Sequence, residues 1–222
     1  NRKDSLGLIG RLREIAKKYN AYSDKWNGLA ILQNTANILA GLEVGFLPKS
    51  KKSMDTDKII SFASNGKIKL VWCLGRDDID FNKNSKTMII YQGHHGDKGA
   101  EFADVILPGA AYTEKDSIYI NTEGRVQKAY QAVSPPGIAK EDWKIIRAFS
   151  GYINKPLGYS NLEGVRKRIA EIDNNLIKEN FVFKASLNDI GDCDIKLLKE
   201  NIRFDDLNYF MTCPISRASE TM

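Results

Sequence analysis

The chain has little with which to do chemistry unaided. Its three cysteines, Cys73, Cys193 and Cys213, lie far apart in 222 residues, with no Cys-x-x-Cys pair among them. That excludes a zinc ribbon or a ferredoxin-type cluster built from this polypeptide alone, and it fits a reducing compartment. His94 and His95 are the only histidines. There is no G-x-S-x-G, no phosphate-binding P-loop, no H-E-x-x-H and no pair of carboxylates at a recognisable cleft signal. No apolar run approaches the roughly 20 residues needed to cross a bilayer. The chain starts at Asn1 without an initiator methionine and without a signal-peptide pattern, so a fragment or a processed product is expected.

What is present is an ordinary globular composition, 42% hydrophobic and 27% charged, with a formal net charge of +5. The lysines are dispersed, and Lys49, Lys51 and Lys52 form the only tight cluster. A solvated basic surface is therefore expected, not a nucleic-acid interface.

The organising stretch runs from Lys67 to Trp143. Lys67–Leu74, Thr87–Gln92 and Asp104–Leu107 are short apolar runs closed by Gly75, Gly93 and Pro108-Gly109, which predicts buried strands of a parallel or mixed sheet. Ser117–Thr122 and Arg125–Tyr130 flank Glu123-Gly124, a hairpin signal. Asn121 and Gly124 stand where a type I turn prefers them.

Helices are expected over 1–18, with Leu8, Ile9, Leu12, Ile15 and Ala16 as the inner face, and over 29–42, 54–65, 139–149 and 163–172. In the fourth of these, Trp143, Ile145, Ile146 and Phe149 should face inward, and the last should pack on the sheet. The helix–Gly–strand order predicts an α/β class: a Rossmann-like layered parallel or mixed sheet with flanking helices and a β-hairpin. Residues 1–174 read as this domain. Residues 175–222 read as an irregular extension whose Tyr209, Phe210, Met211 and Ile215 must dock on the domain or on a neighbour.

Candidate site residues are few. The acidic loop 77–84 follows the first strand, where a dinucleotide-binding fold holds its ribose, but no G-x-G-x-x-G precedes it and a plain loop is expected. The histidine pair invites a metal or acid–base reading. Neighbours in an extended segment point to opposite sides, so His94 and His95 are expected to diverge. Glu114 and Arg125 are expected to pair and lock the hairpin. Ser216 and Ser219 beside Arg217 suggest a phosphosite, against which stands a helix start with serine as its N-cap. Cys73 reads as a small buried hydrophobe. The expectation is that this chain has no catalytic, cofactor-binding or metal-binding residue.

GHHGDKGAEFADVILPGAAYTEKDSIYINTEGRVQ, followed by SPPGIAKEDWKIIRAFS, closely resembles the largest iron–sulfur subunit of respiratory complex I, within the wider molybdopterin-oxidoreductase superfamily. The likeness runs from Trp26 to Ile172 and returns at YFMTCPISRASETM. It implies the C-terminal part of that subunit, a half that looks like a molybdopterin enzyme without its cofactor. It further implies iron–sulfur clusters held in an N-terminal part. The partners it implies are the rest of the same iron–sulfur subunit and other subunits of the hydrophilic arm of complex I. A peripheral place on the matrix side of the mitochondrial inner membrane follows, without membrane insertion. Enrichment in Lys, Asn and Ile hints at a mitochondrially encoded gene. The alternative is an α/β enzyme domain retaining a nucleotide or molybdopterin near residues 75–80 and 93–97.

Overall fold

Two apolar patterns of different period, short runs ending in glycine and helical stretches between them, fold into two small cores. The structure is a computed structural model and describes all residues except 1–2, 24–25, 34, 49–53, 80–85, 97, 185, 188–189, 202–210, 212 and 222. The lysine cluster at 49–52, most of the acidic loop, and Tyr209 and Phe210 therefore lie outside the described residues.

In chain order the elements are α1 (Ser5–Lys18), β1 (Tyr22–Ser23), β2 (Trp26–Asn27), α2 (Ile38–Glu43), α3 (Thr56–Ser64), β3 (Leu70–Leu74), β4 (Met88–Gly93), α4 (Lys98–Phe102), β5 (Val105–Pro108), β6 (Ser117–Ile120), β7 (Val126–Ala129), α5 (Asp142–Tyr152), α6 (Leu162–Ile172) and α7 (Pro214–Arg217). The expected α/β class holds. Strands β3, β4 and β5 form a parallel sheet in that order, with Trp72 opposite Ile90 and Ile90 opposite Val105. Strands β6 and β7 form the antiparallel hairpin, Ile120 opposite Val126.

The α3–β3 connection shows how the local sequence sets an element. Asp55 caps α3 by accepting the Lys58 N–H at 2.9 Å, and Gly66 ends it at φ +67°. One face of the parallel sheet then closes over Ala63, Val71, Cys73, Ile89 and Tyr91, packed against Ile59, Ile60 and Phe102. Each large side chain buried here contributes about 1.5–3 kcal/mol. The second core lies under the hairpin, where Ile120, Val126 and Leu176 meet Leu39, Ile169, Phe181 and Phe183.

Three expectations are corrected. The helix expected over 29–42 is helical only at α2, and Leu32 is 70% exposed; Asn37 instead docks on the β6 edge, its amide contacting Ile118 O and Ile120 N, each at 3.1 Å. The expected inner face of α1 is partly outside: Leu12 and Ile15 are exposed, while Gly7, Gly10 and Ala16 are buried. The reason is that the extension backbone lies on α1, and a Cβ at Gly10 would sit 2.9 Å from the Asp192 carbonyl carbon. Helix α6 packs on the hairpin core through Ile169, not on the parallel sheet. Its outer face carries an ion pair, Arg168 to Glu171 at 2.6 Å.

Candidate functional site

In a parallel sheet the carboxyl ends of the strands are where ligands sit. Here they are β3 at Leu74, β4 at Gly93 and β5 at Pro108. Beyond β3, Gly75 turns the chain at φ +63° and donates its N–H to Gln92 O at 2.8 Å. Asp77 follows, only 4% exposed. Its carboxylate receives the Arg217 guanidinium at 2.5 Å, and its carbonyl receives the Gly99 N–H at 3.0 Å. The first acid of the candidate ribose loop is thus spent on a residue 140 positions downstream. Nothing in the local sequence signals that contact, because it depends on where the extension returns.

The next strand end carries a polar network. Gln92 is fully buried; its carbonyl oxygen accepts from the Trp72 indole at 3.2 Å and its amide donates to Asp142 Oδ1 at 2.9 Å. Asp142 Oδ2 in turn takes the Lys115 ammonium. Trp72 packs edge-on against Phe149 of α5, ring centroids 4.8 Å apart. The first residue of α5 is therefore tied both to the sheet and to the segment leading into the hairpin. Sequence patterning does not pick out Gln92; the one signal available for this network is a polar residue ending an otherwise apolar strand.

The histidines do not diverge. The chain leaves the extended conformation after Gly93, and both rings come to one side, with His94 Nδ1 and His95 Nδ1 2.7 Å apart and the planes at 84°. The Tyr91 hydroxyl donates to His95 O at 2.7 Å, its ring lying so close that a Cβ at Gly93 would fall 2.2 Å from the hydroxyl. Only glycine at 93 lets that tyrosine pass. Burial holds His94 below the ordinary histidine range, helped by the charges of His95 and Lys115 and opposed by Asp142 and Glu114. A neutral imidazole has one N–H and one lone pair, so the close Nδ1 pair shares a proton between a donor and an acceptor.

Glu114 does not pair with Arg125. It closes the 3-10 turn Tyr112–Glu114 by accepting the Ala111 N–H at 2.9 Å, while Arg125 meets Glu123 at 2.6 Å on the surface. The short sequence distance from Glu123 to Arg125 wins over the longer one. The Asn121–Gly124 turn forms as expected, closed by Gly124 N–H to Asn121 O at 2.8 Å, with Gly124 at φ +87°. At the other end of the chain, α7 is capped by Cys213, whose sulfur accepts the Ser216 N–H at 3.4 Å; Ser216 is inside the helix and not its N-cap. The Ser216 hydroxyl, backbone amides and Arg217 hold the Cys213 thiol below its usual range. Burial pushes Cys73 the other way, as a core thiol should behave.

A cleft of about 350 Å³ opens between the hairpin, α5 and α6, lined by Asn37, Lys115, Tyr119, Trp143, Arg166 and Ile169 among others. Within its lining Lys115 pairs with Asp142, and Glu141 pairs with Lys144 beside the cleft.

The chain is similar in sequence to known proteins. Residues 1–152 match the family model for molybdopterin oxidoreductase, and residues 180–222 match the model for the C-terminal part of the G-type subunit of NADH-ubiquinone oxidoreductase. The chain belongs to the molybdopterin oxidoreductase family. Over its full length it is 43% identical to the G-type NADH-quinone oxidoreductase subunit of Rickettsia conorii and 40% identical to the NADH-ubiquinone oxidoreductase 75 kDa subunit of Reclinomonas americana. Over 99% of its length it is 40% identical to the mitochondrial NADH-ubiquinone oxidoreductase 78 kDa subunit of Candida albicans. It spans 31%, 32% and 30% of those proteins, about a third of each.

The family name implies a pterin group, which would lie at the carboxyl ends of the strands. Asp77, Gln92, Lys115 and Asp142 are all engaged with partners inside the chain. Among the described residues no group of three or more His, Cys, Asp or Glu is placed to hold a metal ion. Likewise, among the described residues no helix is long and apolar enough to cross a membrane.

Proposed function

We propose that this chain is a non-catalytic scaffold segment of the largest iron–sulfur subunit of NADH:ubiquinone oxidoreductase, in the hydrophilic arm, with the clusters that carry electrons from NADH to quinone held elsewhere. Its part in the enzyme is structural: 1–174 form an α/β body and 175–222 an extension laid on it. The names of its relatives support the complex, and the Candida albicans relative, named mitochondrial, supports the mitochondrial part of the location proposed here, a peripheral place on the matrix side of the inner membrane.

The observation that carries the reading is a rim of apolar side chains left exposed around the parallel sheet. Parallel sheets are covered on both sides because their strands are apolar on both. One face holds the Val71–Tyr91 core; on the other, α5 covers Trp72 and Gln92 and Ile90 is buried, while Leu70 44%, Leu74 47%, Met88 46% and Val105 38% stay exposed around them. Leu12 and Ile15 add a second apolar strip on α1. Exposed apolar side chains of this kind support a permanent contact, of the sort that buries more than about 2,000 Å². The occupants are the remaining part of the iron–sulfur subunit and its neighbours in the arm.

The test is a native gel of the source membranes stained for NADH oxidation. The chain should co-migrate with the active band, and Leu74→Asp combined with Met88→Asp should abolish co-migration while the isolated variant keeps its circular dichroism. A chain that never enters that band, or a double variant that enters it as well as wild type, contradicts the proposal.

A further inference from the structure

We propose that the outer edge of β3 receives a fourth parallel strand, supplied by a part of the iron–sulfur subunit that this chain does not span. The inference rests on the scaffold reading above and names one contact within it. The backbone carries it. Met88 N–H bonds to Lys69 O and Gly75 N–H to Gln92 O, so Val71 and Cys73 between them turn their backbone groups towards β4. Leu70, Trp72 and Leu74 turn theirs away, and none of the three has a backbone partner on that side among the described residues. The far edge of the sheet differs: beyond β5, Lys140 donates to Pro108 O at 3.1 Å and accepts the Ala110 N–H at 2.9 Å. An open row of N–H and C=O groups on an apolar strand is a template for pairing.

Chain direction places the added strand. Helix α4 joins β4 to its parallel neighbour β5 and packs on the Val71–Tyr91 face through Ala100 and Phe102. Helix α3 packs on the same face through Ile59, Ile60 and Ala63, and leads into β3. Crossovers between parallel strands are right-handed in nearly all cases, so two helices on one face move along the sheet in one direction. The strand from which α3 crosses thus lies on the side of β3 away from β4, where the open edge is. Strands β1 and β2, which precede α3, pair with each other and not with this sheet. The relatives, of which this chain spans about a third, have ample length to supply the strand. The match of residues 180–222 to a C-terminal model puts that length upstream in those proteins. A strand arriving there covers Leu70 and Leu74 on one face and continues the layer under α3 on the other, so it is apolar on both.

The test is hydrogen exchange, resolved to single amides, on the purified chain and on the assembled NADH-oxidising complex. Leu70, Trp72 and Leu74 should exchange freely in the chain alone and slow by at least about a hundredfold in the complex. Val71 and Cys73, paired with β4, should be slow in both. Lysine cross-linking of the complex should join Lys69, one residue before β3, to another part of the same iron–sulfur subunit. Fast exchange at all three outward amides in a complex that contains the chain overturns this contact alone. A complex that lacks the chain overturns the scaffold reading with it. Slow exchange of the three in the purified chain, through pairing with a second copy, or a Lys69 link only to a different subunit, also overturns the contact.

Discussion

Asp142→Ala should lower the stability of the chain by about 2–4 kcal/mol, because it strips the partner from one half-buried ammonium and one buried amide at once. Lys115 and the Gln92 amide both end on the Asp142 carboxylate, and Gln92 itself is fully buried. A surface ion pair would give about a tenth to a third of that. The cost should follow from orphaning the partners and not from losing an attractive pair. Asp142→Asn, which keeps an acceptor for Gln92, should cost less. Asp142→Leu combined with Lys115→Met should recover only the part owed to the stranded ammonium, because the buried Gln92 amide still lacks its acceptor. Urea titration followed by tryptophan fluorescence measures all three. Asp142→Ala within about 0.5 kcal/mol of wild type would mean the network is solvated and structurally idle.

Gly191→Ala should detach the extension from α1 while leaving the sheet intact. Gly191 stands at φ +73°, and a Cβ there would lie 2.2 Å from the Gly10 backbone nitrogen, so neither backbone can yield. The left-handed conformation alone costs a non-glycine residue about 1–2 kcal/mol, and the clash adds to it. What holds the two pieces otherwise is a set of ties: Arg13 to Ile190 O at 3.0 Å, Asp192 N–H to Leu6 O at 2.9 Å, and Leu198 N–H to Asp4 Oδ2 at 2.8 Å. Limited proteolysis across 186–201 should accelerate by about tenfold or more, in proportion to the population of the opened state. Hydrogen exchange in β4 should not change. Unchanged cleavage, or loosening of the sheet as well, would contradict this picture of a separately laid extension.

What is legible in the sequence follows the range of the interactions. The three sheet strands and the hairpin are readable because apolar runs ending in Gly75, Gly93 and Pro108-Gly109 are local signals, and their bounds shift by only one to three residues in the structure. Gly124 and the Asn121 turn are readable for the same reason. What escapes is anything decided by a distant partner. The stripe on α1 is a true helical period, but the extension buries Gly7 and Gly10 instead of Leu12 and Ile15. The Asp77–Arg217 clasp joins residues with no shared pattern, and Glu114 takes the adjacent Ala111 amide before it can reach Arg125. His94 and His95 break the rule of alternating sides because that rule assumes extended backbone, and the chain bends directly after Gly93.

The central claim is that these strands lend shape to a redox assembly whose electron carriers lie in other polypeptide. Native mass spectrometry of the purified chain, after EDTA, tests it most directly. The account predicts the bare polypeptide mass of 25.0 kDa. A stoichiometric pterin, nucleotide or iron–sulfur adduct on that mass would contradict it.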